Sequence, residues 1–401
     1  MTQSGYGPVL RHPVAKRLLT IQAISEAGDF VGLSALLVLS YTRTGTVLAP
    51  AAVYAARTMP SLAVGTVFSG WLDRPPRRAA LVVLALCGAI LLGTVAAFPA
   101  FGVALAVAAV LGAQRTASVS ISTATMAEAV DPALHRPYFA LVNTVNQMAQ
   151  VIGILTGAGV TLLVGASIAL GFDAATFLVA AALLLGLPTI VKKARDRRPP
   201  PTEGLRIIRR QPTLWLLAPV LWAAMAGSVL PETMGTRVAG HAWIPIVMAA
   251  SPIGAMLGAV LIGRTRILDD VSNQLRMALV LGAVFVLGGV VLAAGAPAAL
   301  IAVVNMAIGA SSVWTIGIRA TFVRLTPPPR LAQVEATLVS SAVFCEGVGV
   351  LLLGGLVSLF GPWSGYAAVG IVAASVAAVA LARREPFLAT DERALALPIA
   401  S

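Results

Sequence analysis

Two carboxylic side chains lie inside the first long apolar run of the chain, residues 18–42. Asp29 stands eleven residues into this run, about 16 Å along a helix, and Glu26 lies one turn earlier on the same face. Charged residues at a membrane-helix centre cost about 2.5–3.5 kcal/mol on insertion scales, and they mark proton relays and substrate paths. The spacing therefore predicts a proton-binding site at Asp29 and Glu26, with Glu346 of a later run as a further candidate.

Positive charge also occurs inside apolar runs, at Arg57 and Arg115. An arginine near a carboxylate favours its ionised form and so tunes when it takes a proton. We expect Arg115 to face a cavity, because a lipid-facing arginine at that depth is disfavoured. Arg57 has two open interpretations: a cavity residue, or the partner of Asp29 in a fixed ion pair that braces the first two runs.

Amide and indole side chains supply a second set of candidates. Asn143, Asn146 and Gln150 recur at i, i+3 and i+7, which places them on one helical face. They could line a wet substrate cavity or hydrogen-bond neighbouring helices. Trp222 and Trp314 lie within apolar runs, where they could contact a lipophilic substrate or pack in the core.

The elements that carry these residues are predicted to be membrane helices. Of 401 residues, 58% are hydrophobic and 11% charged, whereas soluble domains are nearer half apolar and a quarter charged. At about 20 residues a span, the apolar content predicts twelve transmembrane helices. They are expected at 18–42, 47–71, 79–98, 100–128, 137–164, 166–191, 213–230, 243–263, 275–294, 297–322, 331–360 and 363–382.

The net charge of +12 is distributed as a topology signal. Alternate loops, with the span ends beside them, carry 24 of the 28 Lys and Arg residues, which predicts that these loops and both termini are cytoplasmic. No basic segment is interleaved with aromatic residues, which argues against nucleic-acid binding. Arg outnumbers Lys 25 to 3, as in GC-rich bacteria, so a bacterial cell membrane is expected.

An internal repeat divides the chain in two. A shift of 196 residues superposes spans five and eleven without gaps and pairs Gly159 with Gly355 and Gly165 with Gly361. The predicted fold is an all-α polytopic membrane protein with two pseudo-symmetric six-helix halves. The expected segments are a first half at 1–191, an extended basic cytoplasmic linker at 192–212, a second half at 213–384 and a cytoplasmic tail at 385–401.

The loop after span two resembles a motif of the major facilitator superfamily, G-x-L-A-D-R-x-G-R-R. The matching positions are Asp73, Arg74, Arg77 and Arg78, whereas Ser69 and Pro76 replace the two glycines. The resemblance implies a twelve-helix transporter in which this charge cluster latches the two halves in one conformation and releases as they rock. The alternative is ordinary cytoplasmic anchoring charge.

Other segments are similar to the drug and siderophore exporters of that superfamily. These segments are Gly28-Asp29, Arg57-x-x-Pro60 and Phe172-Asp173-Ala174-x-x-Phe177. The antiporter pattern G-x-x-x-G-P is incomplete, because Gly153 and Gly157 are followed by Ala158. Close helix packing is still expected at these two glycines.

The resemblance implies a secondary transporter that exports a lipophilic or amphiphilic small molecule, with protons as the coupling ion, by alternating access and as a monomer. A proton-coupled uptake symporter of the same fold and a non-transporting membrane sensor are the alternatives. An intramembrane enzyme is disfavoured because the chain has no H-E-x-x-H or Walker A motif, and His12, His135 and His241 all lie in loops or at span ends. No cofactor, metal or catalytic residue is expected.

Overall fold

A computed structural model describes residues 7–66, 76–131, 134–187, 203–262, 266–326 and 330–396. Every regular element in these ranges is a helix. The chain forms two compact units, Met1–Arg197 and Arg198–Ser401, and the boundary lies inside the predicted linker.

The first unit contains eight described helices. They are α1 (Gly7–Arg11), α2 (Pro13–Thr44), α3 (Leu48–Thr58), α4 (Pro60–Thr66), α5 (Arg77–Ala97), α6 (Phe101–Ala129), α7 (His135–Val164) and α8 (Ala166–Leu185). Helix α2 packs against α7 and α8, α5 packs against α8, and α3 packs against α6.

The second unit contains nine described α-helices. They are α9 (Glu203–Arg210), α10 (Pro212–Ser228), α11 (Leu230–Val238), α12 (Ile244–Leu261), α13 (Val271–Ala293), α14 (Ala298–Ser311), α15 (Trp314–Leu325), α16 (Leu331–Phe360) and α17 (Pro362–Ala396). Helix α13 packs against α17, α12 packs against α14, and α10 packs against α16 and α17.

The all-α membrane architecture predicted from the sequence is confirmed. Within the described ranges, 11 helical segments are long and apolar enough to cross a membrane. The second predicted span, 47–71, is not among these segments: α3 and α4 cover 48–66, and its remainder lies outside the described residues. The 11 observed segments agree with the other 11 predicted spans in order and approximate position.

The 196-residue repeat corresponds to matching helices in the two units. Helices α7 and α16 both contain 30 residues, and each begins and ends 196 positions from its counterpart. Each is followed by a glycine with positive φ, 101° at Gly165 and 92° at Gly361. Because a side chain strains this backbone conformation, glycine allows the next helix to start after a single residue.

The linker differs from the extended connector that was expected. Its last part is helix α9, which buries Gly204, Ile207 and Ile208 and packs against α16. A Cβ at Gly204 would overlap the side chain of Thr337 on α16. Ile207 and Ile208 lie on the buried side of this short helix, whereas its three arginines are exposed. Burial of that side favours a helix over an extended chain.

Candidate functional site

The predicted carboxylates meet a single arginine inside the first unit. Asp29 lies near the middle of the 32-residue helix α2, and Glu26 lies one turn before it. Arg115 of α6 donates from Nη1 to Asp29 Oδ2 at 2.6 Å and from Nη2 to Glu26 Oε2 at 2.8 Å. One guanidinium group therefore binds both carboxylates. The planar guanidinium favours this arrangement because its N–H donors point in fixed, divergent directions.

A second arginine completes the ion network. Arg57 Nη2 of α3 lies 2.9 Å from Asp29 Oδ1, and the Arg57 side chain is 7% exposed. Helix α3 comes close to α6 at Gly112, where a Cβ would overlap the carbonyl group of Arg57. The ion pair proposed for the first two spans is therefore present, and it belongs to a larger cluster.

Neutral side chains extend this cluster from α2, α3 and α6 to a fourth helix, α7. Gln22 Nε2 donates to Glu26 Oε1 at 2.8 Å and contacts Asn146 Oδ1 of α7 at 3.4 Å. Gln22 was not predicted from the sequence, although it lies four residues before Glu26 on the same helical face. Of the other two predicted amides on α7, Asn143 is exposed and Gln150 is half-buried.

The cluster borders a pocket between helices α2, α5, α6 and α8. Its polar lining comes from Gln22, Ser25, Glu26, Asp29, Gln114, Arg115, Ser118 and Ser122. Its apolar lining comes from Leu81, Ala85, Val119, Phe177, Ala180 and Leu184. Arg115 is the most accessible charged member of the cluster, with a side chain that is 33% exposed. A small molecule in this pocket could compete directly for its guanidinium.

The four charged groups balance one another. Two carboxylates face two guanidinium groups, and no side chain in the set is more than one-third exposed. Removing one partner from a buried ion pair typically costs about 3–5 kcal/mol, because the other charge is left in a medium of low polarity. Movement of Arg115 away from the network would therefore leave Glu26 without a charged partner among the described residues.

Asp173 of α8 is a further buried carboxyl beside this network. It is 1% exposed and was quoted in the family resemblance without a role of its own. Its helix packs against α2 at Gly28 and Gly32, where any Cβ would overlap the Asp173 side chain. Asp173 could have been noticed as a charged residue within the sixth predicted span. Its neighbours could not be predicted, because they come from α2, which crosses α8 at this point.

The predicted residues of the second unit form separate contacts. Ser228 Oγ of α10 donates to Glu346 Oε1 of α16 at 3.4 Å. Trp222 Nε1 donates to Ser341 Oγ at 2.9 Å between the same helices. Trp314 of α15 is fully buried, and its Nε1 has no hydrogen-bond partner among the described residues. The substrate contacts expected of Trp222 and Trp314 stay predictions, as does proton binding by Glu346.

The charged loop after the second predicted span is partly described. Asp73 and Arg74 lie outside the described residues. Arg77 Nη2 of α5 lies 2.6 Å from Glu128 Oε1 near the end of α6, and Arg78 donates to the carbonyl of Leu187 at 3.3 Å. Both contacts lie within the first unit, so the latch between halves stays a prediction.

In the described ranges, no three His, Cys, Asp or Glu side chains form a group that could hold a metal ion.

Solved transporter structures share this fold at low sequence identity. The nucleoside transporter NupG aligns with a TM-score of 0.70 at 14% identity, covering 94% of this chain and 98% of its own. A POT family transporter in complex with 5-aminolevulinic acid gives 0.70 at 11% identity, covering 93% of this chain and 96% of its own. A D-xylose–proton symporter gives 0.67 at 14% identity, covering 90% of this chain and 96% of its own.

No curated protein sequence matches the chain. A family model described as Major Facilitator Superfamily matches residues 18–318, three-quarters of the chain. This match covers the helices that hold the buried ion network and agrees with the sequence motif, the apolar helices and the shared fold. The chain therefore belongs to the Major Facilitator Superfamily and is a multi-pass membrane transporter.

Proposed function

We propose that this transporter exports a lipophilic or amphiphilic small molecule by proton antiport with alternating access. The supporting observation is the position of Arg115, which binds Glu26 and Asp29 at the edge of a pocket in the first unit. We place the protein in a bacterial cell membrane with both termini in the cytoplasm, on the strength of the loop charges.

Proton coupling follows from competition for Arg115. With Arg115 bound, both carboxylates are held in their charged forms. When a substrate or a helix movement withdraws the guanidinium, Glu26 keeps only the neutral Gln22 as a hydrogen-bond partner among the described residues. Because a buried unpaired carboxylate is costly, proton uptake accompanies that withdrawal, and proton release accompanies the return of Arg115.

The pocket lining favours a substrate with both apolar and polar parts. Phe177, Leu81 and Leu184 supply apolar contact, and serine and glutamine side chains supply hydrogen-bonding groups. We propose Asn143, Asn146 and Gln150 on α7, and Trp222 and Trp314 of the second unit, as further substrate contacts. Glu346 is proposed as an additional proton-binding residue.

Export rests on the resemblance to drug and siderophore exporters in the first two and the sixth predicted spans. Uptake is the second candidate, because one structure of the same fold is a D-xylose–proton symporter. At 14% identity, this similarity shows a shared fold, and the direction of transport has to be measured. A non-transporting sensor is the third candidate.

We also propose that the loop of Asp73, Arg74, Arg77 and Arg78 latches one conformation of the transporter. Arg77 already pairs with Glu128, so this end of α5 can be held or released by a change of partner. Replacing Arg77 and Arg78 together is expected to slow turnover more than it weakens substrate binding. A collapse of affinity with unchanged turnover would contradict the latch.

The test uses purified full-length protein in sealed vesicles that contain a pH-sensitive dye. Lipophilic and amphiphilic compounds are added outside, one at a time and without a pH gradient. Proton antiport makes the lumen more alkaline as the compound enters, whereas symport makes it more acidic. A lumen that never responds, together with compounds that bind, would favour the sensor.

A matched pair of variants assigns the response to the buried network. Asp29→Asn removes the central carboxylate, and Glu203→Gln neutralises a carboxylate on the short helix α9, where it pairs with Arg206. The proposed function predicts that only Asp29→Asn abolishes the pH response. Loss of the response in both variants would place its origin outside the network.

A further inference from the structure

Asp173 is a buried carboxyl group with half of its hydrogen-bonding capacity unused. Its Oδ1 accepts a hydrogen bond from Thr176 Oγ1 at 3.2 Å. Its Oδ2 is buried without a hydrogen-bond partner among the described residues. An ionised carboxylate would leave charge on an oxygen that nothing stabilises, whereas a protonated carboxyl group would not.

Close helix packing keeps Asp173 away from water. Gly28 and Gly32 bring the backbone of α2 against its carboxyl group, and Thr176 covers it from the same turn of α8. Helical backbone N–H groups already donate within α2, so these glycines add contact and no hydrogen bonds. Asp29 lines the pocket, whereas Asp173 is not among the pocket residues.

Among the described residues, the charged side chains that bear electrostatically on Asp173 are Asp29, which follows the contact residue Gly28 on α2, and its partner Arg57. Helix α5 runs antiparallel to α8, and its Gly88 lies against Phe177. The part of α5 nearest Asp173 is therefore the segment after Gly88, which contains no ionisable residue. Arg78 of α5 contacts Leu187, about 21 Å farther along α8 from Asp173. Helix α7 has no ionisable residue between Asn143 and its end, where it meets α8.

Among the described residues, these neighbours leave no unengaged counter-charge for an ionised Asp173. Glu26, Asp29, Arg57 and Arg115 already form a neutral set of two carboxylates and two guanidinium groups. Arg57 is engaged by Asp29, and Asp29 repels any negative charge on Asp173. A proton on Asp173 makes the whole set of five side chains neutral.

We propose that Asp173 is a further proton-binding site, protonated while Asp29 holds Arg57 and Arg115. When Asp29 becomes neutral, Arg57 is free to pair with Asp173, which then releases its proton. In the balanced step, one proton leaves Asp173, one proton binds Asp29, and Arg57 changes partner without any change in total charge. The part of this step in transport rests on the proposed function, whereas the protonation of Asp173 does not.

Infrared spectroscopy of the full-length protein in lipid vesicles tests the proposal, because a protonated carboxyl group has a C=O stretch that a carboxylate lacks. The wild type at neutral pH is expected to show this band from a site of low polarity. Protein containing aspartate labelled with ¹³C at the side-chain carboxyl should show the band shifted, which assigns it to Asp without any mutation. An unshifted band, or no band, would overturn the proposal.

Four variants then separate a proton site from a packing residue. Asp173→Asn should remove the band, and the surface variant Glu203→Gln should retain it. Asp29→Asn should also remove it, because Arg57 loses its partner and Asp173 ionises to pair with it. In the double variant Asp29→Asn with Arg57→Gln, the charge set is neutral again and the band should return.

A purely structural Asp173 would give the same band with and without Asp29. Persistence of the band in Asp29→Asn would therefore overturn the exchange of Arg57, and its persistence in Asp173→Asn would overturn the assignment. The measurement needs no substrate and no gradient. A protein with these spectra but no export activity would refute the proposed function alone.

Discussion

At the scale of single residues, Arg115 has the largest role because, in the part of the chain that the structure describes, it alone is bonded to both Glu26 and Asp29. Asp29 also binds Arg57, whereas the partners of Glu26 among the described residues are Arg115 and Gln22. The two carboxylates therefore differ in what remains after Arg115 leaves. Glu26 is left with a neutral amide, and Asp29 keeps a full counter-charge.

Arg115→Gln is accordingly expected to destabilise the protein in a pH-dependent way. The expected loss is on the order of 2 kcal/mol at neutral and alkaline pH, below the value for a fully buried pair because Arg115 is partly exposed. Protonation of Glu26 removes the unpaired charge, so the loss should shrink as the pH falls. Thermal unfolding of detergent-solubilised protein across pH measures this.

Arg319→Gln is the matched control for that measurement. Its pair with Glu335 is 3.3 Å long and the Arg319 side chain is 56% exposed, so its removal should cost under about 1 kcal/mol. A loss for Arg115→Gln that is equally large at every pH would contradict the assignment of Glu26 as the unpaired charge.

Glu26, Asp29, Arg57 and Arg115 could be predicted as site residues from the sequence, because a charge in an apolar run is unusual by itself. The binding of both carboxylates by Arg115 could not be predicted, since these contacts link α2 to α6 across 86 and 89 residues. Gln22 carries no charge and gave a weaker signal. Asp173 gave a signal, but its unpaired oxygen depends on Gly28 and Gly32 of another helix.

At the scale of elements, glycine-mediated helix contacts hold the ion network together. Gly153 and Gly157 of α7 lie against the backbone of α2, as the incomplete antiporter pattern suggested. Their four-residue spacing lets two helix backbones approach closely.

Sequence periodicity predicted the spans, but the helix breaks after Ser228 and Ser311 depend on local contacts. Pro231 follows the first break, and serine side chains bond back to the preceding turn at the second.

Two glycines on helix α7 provide a matched test of this packing. A Cβ at Gly157 would overlap Ser34 and Val31 of α2, whereas nothing lies within 4 Å of a Cβ at Gly159. Gly157→Ala is expected to destabilise by about 1–3 kcal/mol through overpacking. Gly159→Ala should be neutral or stabilising by up to about 1 kcal/mol, because alanine favours the helix. Equal thermal midpoints for the two variants would refute a close crossing at Gly157.

At the scale of the whole molecule, the sequence predicted two repeated halves because hydropathy and a 196-residue shift are properties of the chain alone. The helix bounds of α7 and α16 agree with that shift to the residue. The helical end of the linker was missed because α9 is short and gains its stability from burial against α16. The predicted membrane orientation rests on the excess of Lys and Arg in alternate loops. It can be tested with a reagent that reaches only the outer face of the cell membrane.

The predicted orientation places Glu203 in the cytoplasm and Gly240 on the opposite side. In a background with Cys87 and Cys345 replaced by Ser, Gly240→Cys should react with a membrane-impermeant maleimide in intact cells. Glu203→Cys should react only after the membrane is opened. The reverse pattern would invert the topology and with it the direction of export.

The central claim is that the buried network of Glu26, Asp29, Arg57 and Arg115 couples proton movement to transport. Removal of its central carboxylate, Asp29, tests this claim most directly. Inverted membrane vesicles with an acid interior are loaded with a pH dye, and lipophilic and amphiphilic compounds are screened for dissipation of the gradient. Wild-type protein should dissipate it with at least one compound, and Asp29→Asn, inserted at the same level, should not. Full gradient-driven activity in Asp29→Asn would contradict the account.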